Sequence, residues 1–414
     1  MVRSGYDIVD LEKNADICVV NTCTVTNSAD QKARQVIRRI IRNNPQAKII
    51  VTGCYAESDR QSIEAIPGVS LVFGNREKAE FQRYLDTISD QKLLRIEPII
   101  HDAVREHATF STGISSSGDR TRAIVKVQDG CSAFCTYCII PYVRGRMTSR
   151  SLKDIVEEVG RIAATNCKEI VITGVHLASY GFDTGKKHSL ADVLEHVHPI
   201  DGIERIRFSS IEPMNFPQNL ADCMAELPKC QPHFHLPLQA GSDQTLMRMR
   251  RRYTTKEYAG LIDKLRSLFP NVGITTDIMV GFPGETDQDF EESSSFVEEM
   301  SFSQLHVFRY SPRRNTPAAN YPNQVDPQAS TERSRRMIDL GNKLSAIFRK
   351  RMVGKTMNVL VENRREDKGN LLTGFSGNYL RVAADVPDSA INQILPITLE
   401  SLSGEILRGR VLET

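Results

Sequence analysis

The sequence predicts an α/β protein in three parts: an N-terminal parallel α/β domain, a partial (β/α)6 barrel and a small C-terminal β-barrel. Three observations carry this. Short apolar runs alternate with helical patterns from the start, and the alternation resumes beyond a Ser/Gly stretch with six strand candidates. From about Gly354 the helices give way to five short strands separated by turn residues. Alternating strands and helices build parallel sheets, whereas short strands with frequent turns close on themselves. The chain has 414 residues, and about 150 residues per domain leaves room for two to four domains.

In order along the chain, "ADICVVN" and "AKIIVTG" read as buried strands. Between them, "SADQKARQVIRRIIRNN" sets Ala29, Ala33, Val36, Ile37, Ile40 and Ile41 at helical spacing, and Pro45 ends the helix. "VSLVFGN" adds a strand, and "STGISSSGD" is a linker. The expected domains are therefore 1–112, 118–350 and 351–414. The barrel strands are "RAIVKVQ", "KEIVITG", "ERIRFSS", "HFHLPLQ", "VGITTDIMVG" and "QLHVFRYS". In "SLKDIVEEVGRIAATN", Ser151 suits an N-cap, and Ile155, Val159 and Ile162 share a face. "TERSRRMIDLGNKLSAIFRKRM" leads out of the barrel as a helix. "TMNVLVEN", "NLLTGFS", "NYLRVAA", "PITLES" and "EILRGRVLE" form the last domain, a common RNA-binding fold type.

Composition is that of an ordinary soluble protein, with 40% hydrophobic and 25% charged residues, and no apolar run is long enough to span a bilayer. The start "MVRSGYDIVD" has no apolar signal core, which places the protein in the cytoplasm. In that compartment 9 cysteines do not make a disulfide framework, and clustered ones read as metal ligands. The net charge of +2 points to no partner, so any nucleic-acid surface must come from local clusters of Lys and Arg.

"DGCSAFCTYCIIPY" places Cys131, Cys135 and Cys138 in the loop after the first barrel strand, on the face where barrel enzymes build their sites. Three thiolates can hold three irons of a cubane cluster and leave the fourth iron open. Structural zinc competes with this reading, but it normally closes with four ligands, and the next cysteine, Cys167, lies beyond a helix. Cys23 and Cys54 each follow a strand of the first domain, in "VVNTC" and "IVTGC", so two parallel strands would bring both thiols to one sheet edge, where open α/β sheets bind ligands. The alternative is two unrelated loop cysteines. Cys18 lies inside its strand and reads as core, as do Cys167, Cys223 and Cys230.

Arg34, Arg38 and Arg42 form a helical stripe, either a solvated face or an RNA-backbone contact. "MRMRRRYT" gathers Arg248, Arg250, Arg251 and Arg252 beside Tyr253, joining charge to a stacking surface as single-stranded RNA recognition requires. Glu212, Gln239 and Asp277 stand at or near barrel-strand ends, placed for polar contacts to a nucleotide. His176, His233 and His235 show no ligand spacing and read as structural or solvent-facing.

C-x-x-x-C-x-x-C after the first strand of a partial barrel resembles the radical S-adenosylmethionine enzymes. "GVHLASYG", "SSIEP", "PLQAGSDQTLMRMRRRYT" and "DIMVGFPGET" resemble the methylthiotransferase branch, across nearly the whole chain. "VNTCTVTNSADQKARQVIRR", "VTGCYA", "DRTRAIVKVQDGCSAFCTYCIIPYVRGR" and "HVFRYSPRRNTPAA" are similar to the bacterial tRNA enzymes acting on N6-threonylcarbamoyladenosine. The resemblance implies a radical SAM barrel, a TRAM-like last domain, S-adenosylmethionine and two [4Fe-4S] clusters. It assigns the radical cluster to Cys131, Cys135 and Cys138, with Tyr137 near the adenine and Gly174 in the cofactor-binding set. The auxiliary cluster of the family uses three cysteines, the first in a "GCKxN"-like phrase. This sequence lacks that phrase, so the first domain is expected without its initial strand, supplying Cys23 and Cys54. The implied reaction is methylthiolation at C2 of N6-threonylcarbamoyladenosine-37 in the anticodon stem-loop of tRNA. One S-adenosylmethionine would donate methyl to sulfur and a second would be cleaved to a radical. An electron donor such as flavodoxin or ferredoxin and a monomeric chain complete the expectation. The alternatives are an iron–sulfur RNA-binding protein without methylthiolation, or the same chemistry on isopentenyladenosine or a ribosomal protein.

Overall fold

The computed structural model describes residues 6–9, 14–75, 77–81, 83–85, 121–366 and 369–412. The Ser/Gly linker and the first domain boundary lie outside the described residues. Two compact units emerge, cut differently from the sequence-based domains. One gathers the described residues of Met1–Thr112 with Asp129–Thr148 and Ser311–Asn320, so the cysteine loop belongs to the same body as the N-terminal sheet. The other takes the described residues of Gly113–Gln128 with Ser149–Tyr310 and Tyr321–Thr414.

In the first unit, strands β1 (Ile17–Thr22), β2 (Lys48–Gly53) and β3 (Val69–Val72) form a parallel sheet in that order. Helix α1 (Asn27–Asn43) begins where the Thr26 hydroxyl accepts from Ala29 N–H at 3.2 Å, and ends before Pro45, which cannot continue it. Its apolar face buries Ile37 and Ile40 against Ile49 and Val51 of the sheet, at about 1.5–3 kcal/mol per buried aliphatic side chain. β2 runs straight into α2 (Cys54–Ser58) through Gly53. That residue has φ +106°, and an added Cβ would lie 2.2 Å from the Thr22 carbonyl oxygen, so only glycine fits. α3 (Arg60–Glu64) follows, and α4 (Ile140–Arg144) completes the unit's helices used below.

In the second unit, β4 (Arg122–Lys126), β5 (Glu169–Thr173) and β6 (Arg205–Phe208) form one parallel sheet. β7 (His233–His235), β8 (Gly273–Val280) and β9 (Gln304–Arg309) form a second. A parallel bridge between Ser210 and His235 links them, giving the six strands of the open barrel. Helix α5 (Leu152–Ala163) starts at Ser151, whose hydroxyl accepts from Asp154 N–H at 3.2 Å, as the sequence indicates. α6 (Leu190–Val197), α7 (Leu220–Glu226), α8 (Asp243–Arg248), α9 (Thr255–Leu268) and α10 (Asp287–Met300) follow between strands. Reciprocal capping boxes open α6, α9 and α10.

After the long helix α11 (Pro327–Lys350), five strands close a small barrel: β10 (Thr356–Arg365), β11 (Leu372–Ser376), β12 (Arg381–Ala384), β13 (Ile394–Ser403) and β14 (Ile406–Val411), in the order β10-β11-β12-β14-β13. Closure leaves no free edge. Val359, Val382, Ile397, Leu399 and Leu407 fill the core with Phe348 of α11 and Met352 just beyond that helix. The joint between this barrel and the β4-β5-β6 sheet is charged. Glu169 is buried within 3.3 Å of Arg207, 3.6 Å of Arg205 and 3.8 Å of Arg122. Arg205 donates to the carbonyls of Phe375 and Asn358, and Arg207 to those of Gly377 and Ser376. Among the described residues no helix is long and apolar enough to cross a membrane.

Candidate functional site

The three clustered cysteines follow a turn that requires glycine. Gly130 has φ +70°, and a Cβ there would stand 2.0 Å from the Arg146 carbonyl oxygen. This close approach lets Cys131 N–H reach the Gly145 carbonyl at 3.0 Å. Cys138 N–H closes a turn on the Cys135 carbonyl at 3.0 Å, and Ala133 N–H donates to the Cys131 sulfur at 3.4 Å. Cys131 and Cys135 are buried and Cys138 half-buried. Three thiolates closing on one zinc would stand roughly 3.8 Å apart, given bonds of about 2.3 Å. Among the described residues, the one group of three His, Cys, Asp or Glu ligand atoms within 4.8 Å of one another lies elsewhere. A cubane cluster instead takes one thiolate per iron, so three cysteines suffice to hold it and leave one iron open.

The second cysteine pair stands as the strands dictate. Thr22 and Gly53 are register partners in the β1–β2 pairing, and Cys23 and Cys54 follow them directly, so both leave the same sheet edge. Cys54 is buried against Ile139 and Val143, the first of which directly follows Cys138 in the chain. Asn75 donates to the Cys54 sulfur at 3.4 Å and to the Val143 carbonyl at 3.3 Å. Burial opposes the charge of the Arg144 guanidinium, but Cys54 and Asp129 beside it hold it above its ordinary value. A thiolate at Cys54 thus meets an amide donor and a fixed positive charge. Burial pushes the thiols of Cys18, Cys223 (about 11) and Cys230 (about 12) upward, toward the neutral form.

In the same unit a cavity of about 390 Å³ is lined by Asp30, Arg34, Glu57, Tyr142, Val143 and Arg313. Arg313 donates to Asp30 at 2.8 Å, and Arg34 to the Tyr55 hydroxyl at 2.5 Å. Arg38 is exposed on α1. Neither Arg144 nor Arg313 stands out in the sequence, because both acquire their neighbours only through folding. Tyr137 is half-buried between Cys135 and Cys138.

In the second unit, Gly174 follows β5, where a Cβ would press on Gln128 at 2.9 Å. The Gln128 side-chain oxygen accepts from Val175 and His176 N–H at 2.9 and 2.8 Å. Glu212 forms an ion pair with buried Arg251, which also donates to the Pro237 carbonyl at 3.1 Å. Burial lowers the His176 imidazole below its ordinary value despite nearby Glu212. Gln239 adopts φ +69°, and its N–H reaches the Asp277 carbonyl at 2.8 Å. Burial works to raise the Asp277 carboxyl, but hydrogen bonds from His235 and His306 outweigh it and bring it down to about 2. The arginine run splits. Arg251 is committed to Glu212 and Arg248 to Asp289 at 2.7 Å, whereas Arg250 and Arg252 are exposed beside a surface cavity of about 520 Å³ with Met247 and Tyr253.

Residues 125–297 match the Radical SAM superfamily, and residues 1–74 match a family described as Uncharacterized protein family UPF0004. The threonylcarbamoyladenosine tRNA methylthiotransferase MtaB of Bacillus subtilis (strain 168) is 37% identical over 402 residues, covering 96% of this chain and 88% of that protein. This chain belongs to the radical SAM methylthiotransferase family. The tRNA-2-methylthio-N(6)-dimethylallyladenosine synthase of Pelotomaculum thermopropionicum is 36% identical over 403 residues, covering 95% of this chain and 89% of that protein. The radical S-adenosylmethionine methyltransferase TsrM of Kitasatospora setae shares the fold, with a TM-score of 0.54 and 16% identity over 74% of this chain and 66% of that one. Family membership implies a [4Fe-4S] cluster and S-adenosylmethionine. The glycine-initiated loop with its three cysteines and its backbone donor to the Cys131 sulfur fits that cluster.

Proposed function

We propose that this chain places a methylthio group on C2 of N6-threonylcarbamoyladenosine-37 in the anticodon stem-loop of tRNA. One observation carries the reading: both cysteine sets belong to one compact unit, with Cys54 packed against Ile139, the residue after Cys138. The B. subtilis relative named for threonylcarbamoyladenosine supports the choice of substrate. Cys131, Cys135 and Cys138 would hold a [4Fe-4S] cluster that, with S-adenosylmethionine, supplies the one-electron cleavage needed to attack an unreactive carbon–hydrogen bond. Cys23 and Cys54 would be two thiolate ligands of an auxiliary cluster. Asn75 would donate to the Cys54 sulfur and Arg144 stands beside it, an amide and a positive charge placed to accompany a bound thiolate. Gly130 fixes the path of the loop, and Gly174, Glu212 and Gln239 of the barrel unit are assigned to polar contacts with the nucleotide. The proposal includes a cytoplasmic, monomeric chain served by a flavodoxin or ferredoxin.

For tRNA we assign Arg250 and Arg252 rather than their committed neighbours, with Arg38 as a further backbone contact. A double Arg250→Ala, Arg252→Ala variant will melt like the wild type, yet bind tRNA more weakly, with the slope of log affinity against log salt reduced by about two, one for each phosphate left without its arginine. Arg251→Ala will instead lower the melting temperature, because it strands the Glu212 carboxylate and the Pro237 carbonyl. Fluorescence anisotropy across a salt series, beside thermal melts, checks both.

Nucleoside analysis of tRNA from a strain lacking the gene tests the substrate. The methylthio form of N6-threonylcarbamoyladenosine will be missing and will return with the wild-type gene but not with Cys131→Ala. Loss of methylthio-isopentenyladenosine instead would transfer the activity to the substrate class of the P. thermopropionicum relative.

A further inference from the structure

Three side chains that show no spacing relationship in the sequence meet on adjacent parallel strands. His306 of β9 is the register partner of Asp277 on β8, and His235 of β7 is the partner of Thr275, two residues before Asp277. Residues two apart on a strand face the same side, so strand order alone puts two imidazoles on either flank of one carboxylate. His235 Nε2 lies 3.3 Å and His306 Nδ1 3.2 Å from the same Asp277 oxygen, Oδ1. The three donor atoms all fall within 4.8 Å of one another, which no other such trio does among the described residues.

We infer that His235, Asp277 and His306 form a binding site for a divalent transition metal, zinc or ferrous iron, held by two imidazole nitrogens and one carboxylate oxygen. Bonds of about 2.0–2.1 Å in a tetrahedron set neighbouring ligand atoms about 3.3 Å apart, which is what the two nitrogen–oxygen separations already show. A second shell is present as well. The Thr275 hydroxyl meets His235 Nδ1 at 2.8 Å, fixing the ring with Nε2 toward Asp277. Two neutral imidazoles and a carboxylate are a common donor set for these metals, and three protein ligands leave a position free. The His306 side chain is 45% exposed and that of Asp277 24%, so this position is reachable by water or by an oxygen donor such as a phosphate. Metal binding would take the place of the two N–H protons that face Asp277, each proton moving to the other nitrogen of its ring, so that both imidazoles stay neutral and no oxidation state changes; for His235 that nitrogen is Nδ1, beside the Thr275 hydroxyl. It also withdraws Asp277 from the nucleotide contacts expected from the sequence. The inference does not rest on the methylthiolation reading.

The test uses the full chain with its cysteine sites loaded anaerobically with iron, equilibrated with zinc buffered by a competing chelator. Zinc and iron are counted together, and zinc X-ray absorption reports the ligand shell. Expected is one zinc beyond the iron count, with nitrogen and oxygen neighbours at about 2.0–2.1 Å and no sulfur. His306→Ala and Asp277→Asn should each weaken zinc binding by more than about 100-fold, since even outer-shell partners account for 10–100-fold, with iron content and circular dichroism unchanged. His306→Gln, at a half-exposed position, guards against a folding artefact in the alanine variant. Absence of zinc from the wild type, sulfur in its shell, or wild-type affinity in folded His306→Ala or His306→Gln each overturns the site and leaves a hydrogen-bonded trio only.

Discussion

Replacing Cys131, Cys135 and Cys138 together with alanine will remove about four irons per chain and bring methylthiolation below detection, while the melting temperature stays near that of the iron-free wild type. The loss is expected to be complete because each thiolate carries its own iron, and Cys167, Cys223 and Cys230 offer no substitute. Cys167 is buried with its thiol donating to the Glu169 carbonyl at 3.3 Å, and Cys223 and Cys230 are pushed toward the neutral form by burial. Iron and sulfide counts after anaerobic reconstitution check this. A chain that loads two clusters will fall to one in the triple variant, which would place the survivor at Cys23 and Cys54. A chain that loads one will fall to none. An unchanged count would show that the iron is held elsewhere.

The largest effect on stability is expected at Glu169. Its carboxylate is the common partner of Arg122, Arg205 and Arg207, all pinned at the joint with the C-terminal barrel. Burial drives the Arg205 guanidinium down to about 10 even with Glu169 beside it, a measure of how costly that charge is to bury. Glu169→Gln keeps the shape but removes the countercharge, and should cost about 3–5 kcal/mol, as other broken buried ion pairs do. For a unit of this size that lowers the melting temperature by roughly 10 °C. The exposed neighbour pair Lys168–Glu204, at 2.6 Å, serves as control: Glu204→Ala should change stability by under about 1 kcal/mol. A Glu169→Gln chain melting like the wild type would show that backbone carbonyls satisfy Arg205 and Arg207, and Glu362 satisfies Arg122, without Glu169.

How much of this is legible in the sequence depends on the range over which a signal acts. Local periodicity marks α1 and its stop at Pro45, the Ser151 cap and all six barrel strands, because each depends on residues within a turn or two. The three-cysteine spacing is legible for the same reason. The pairing of Cys23 with Cys54 can be read because each directly follows a strand end, and register then equates their neighbours. Encounters made by strand order do not show. The Glu169 network joins strands that read simply as apolar runs. Arg251 looks like part of an exposed basic run until Glu212 folds onto it. His235 reads as structural because a ligand spacing is sought along the chain, whereas its partners arrive on the two neighbouring strands. That the cysteine loop, inside the Radical SAM match of residues 125–297, groups by its contacts with the N-terminal sheet is likewise a product of folding that no local pattern announces.

The most direct measurement is a reaction of the reconstituted chain with S-adenosylmethionine, a reductant and two tRNAs, one carrying N6-threonylcarbamoyladenosine and one isopentenyladenosine at position 37, followed by nucleoside mass spectrometry. The proposal requires a methylthio product on the first tRNA and none on the second. Product on the second alone, or cleavage of S-adenosylmethionine with neither tRNA thiolated, would contradict it.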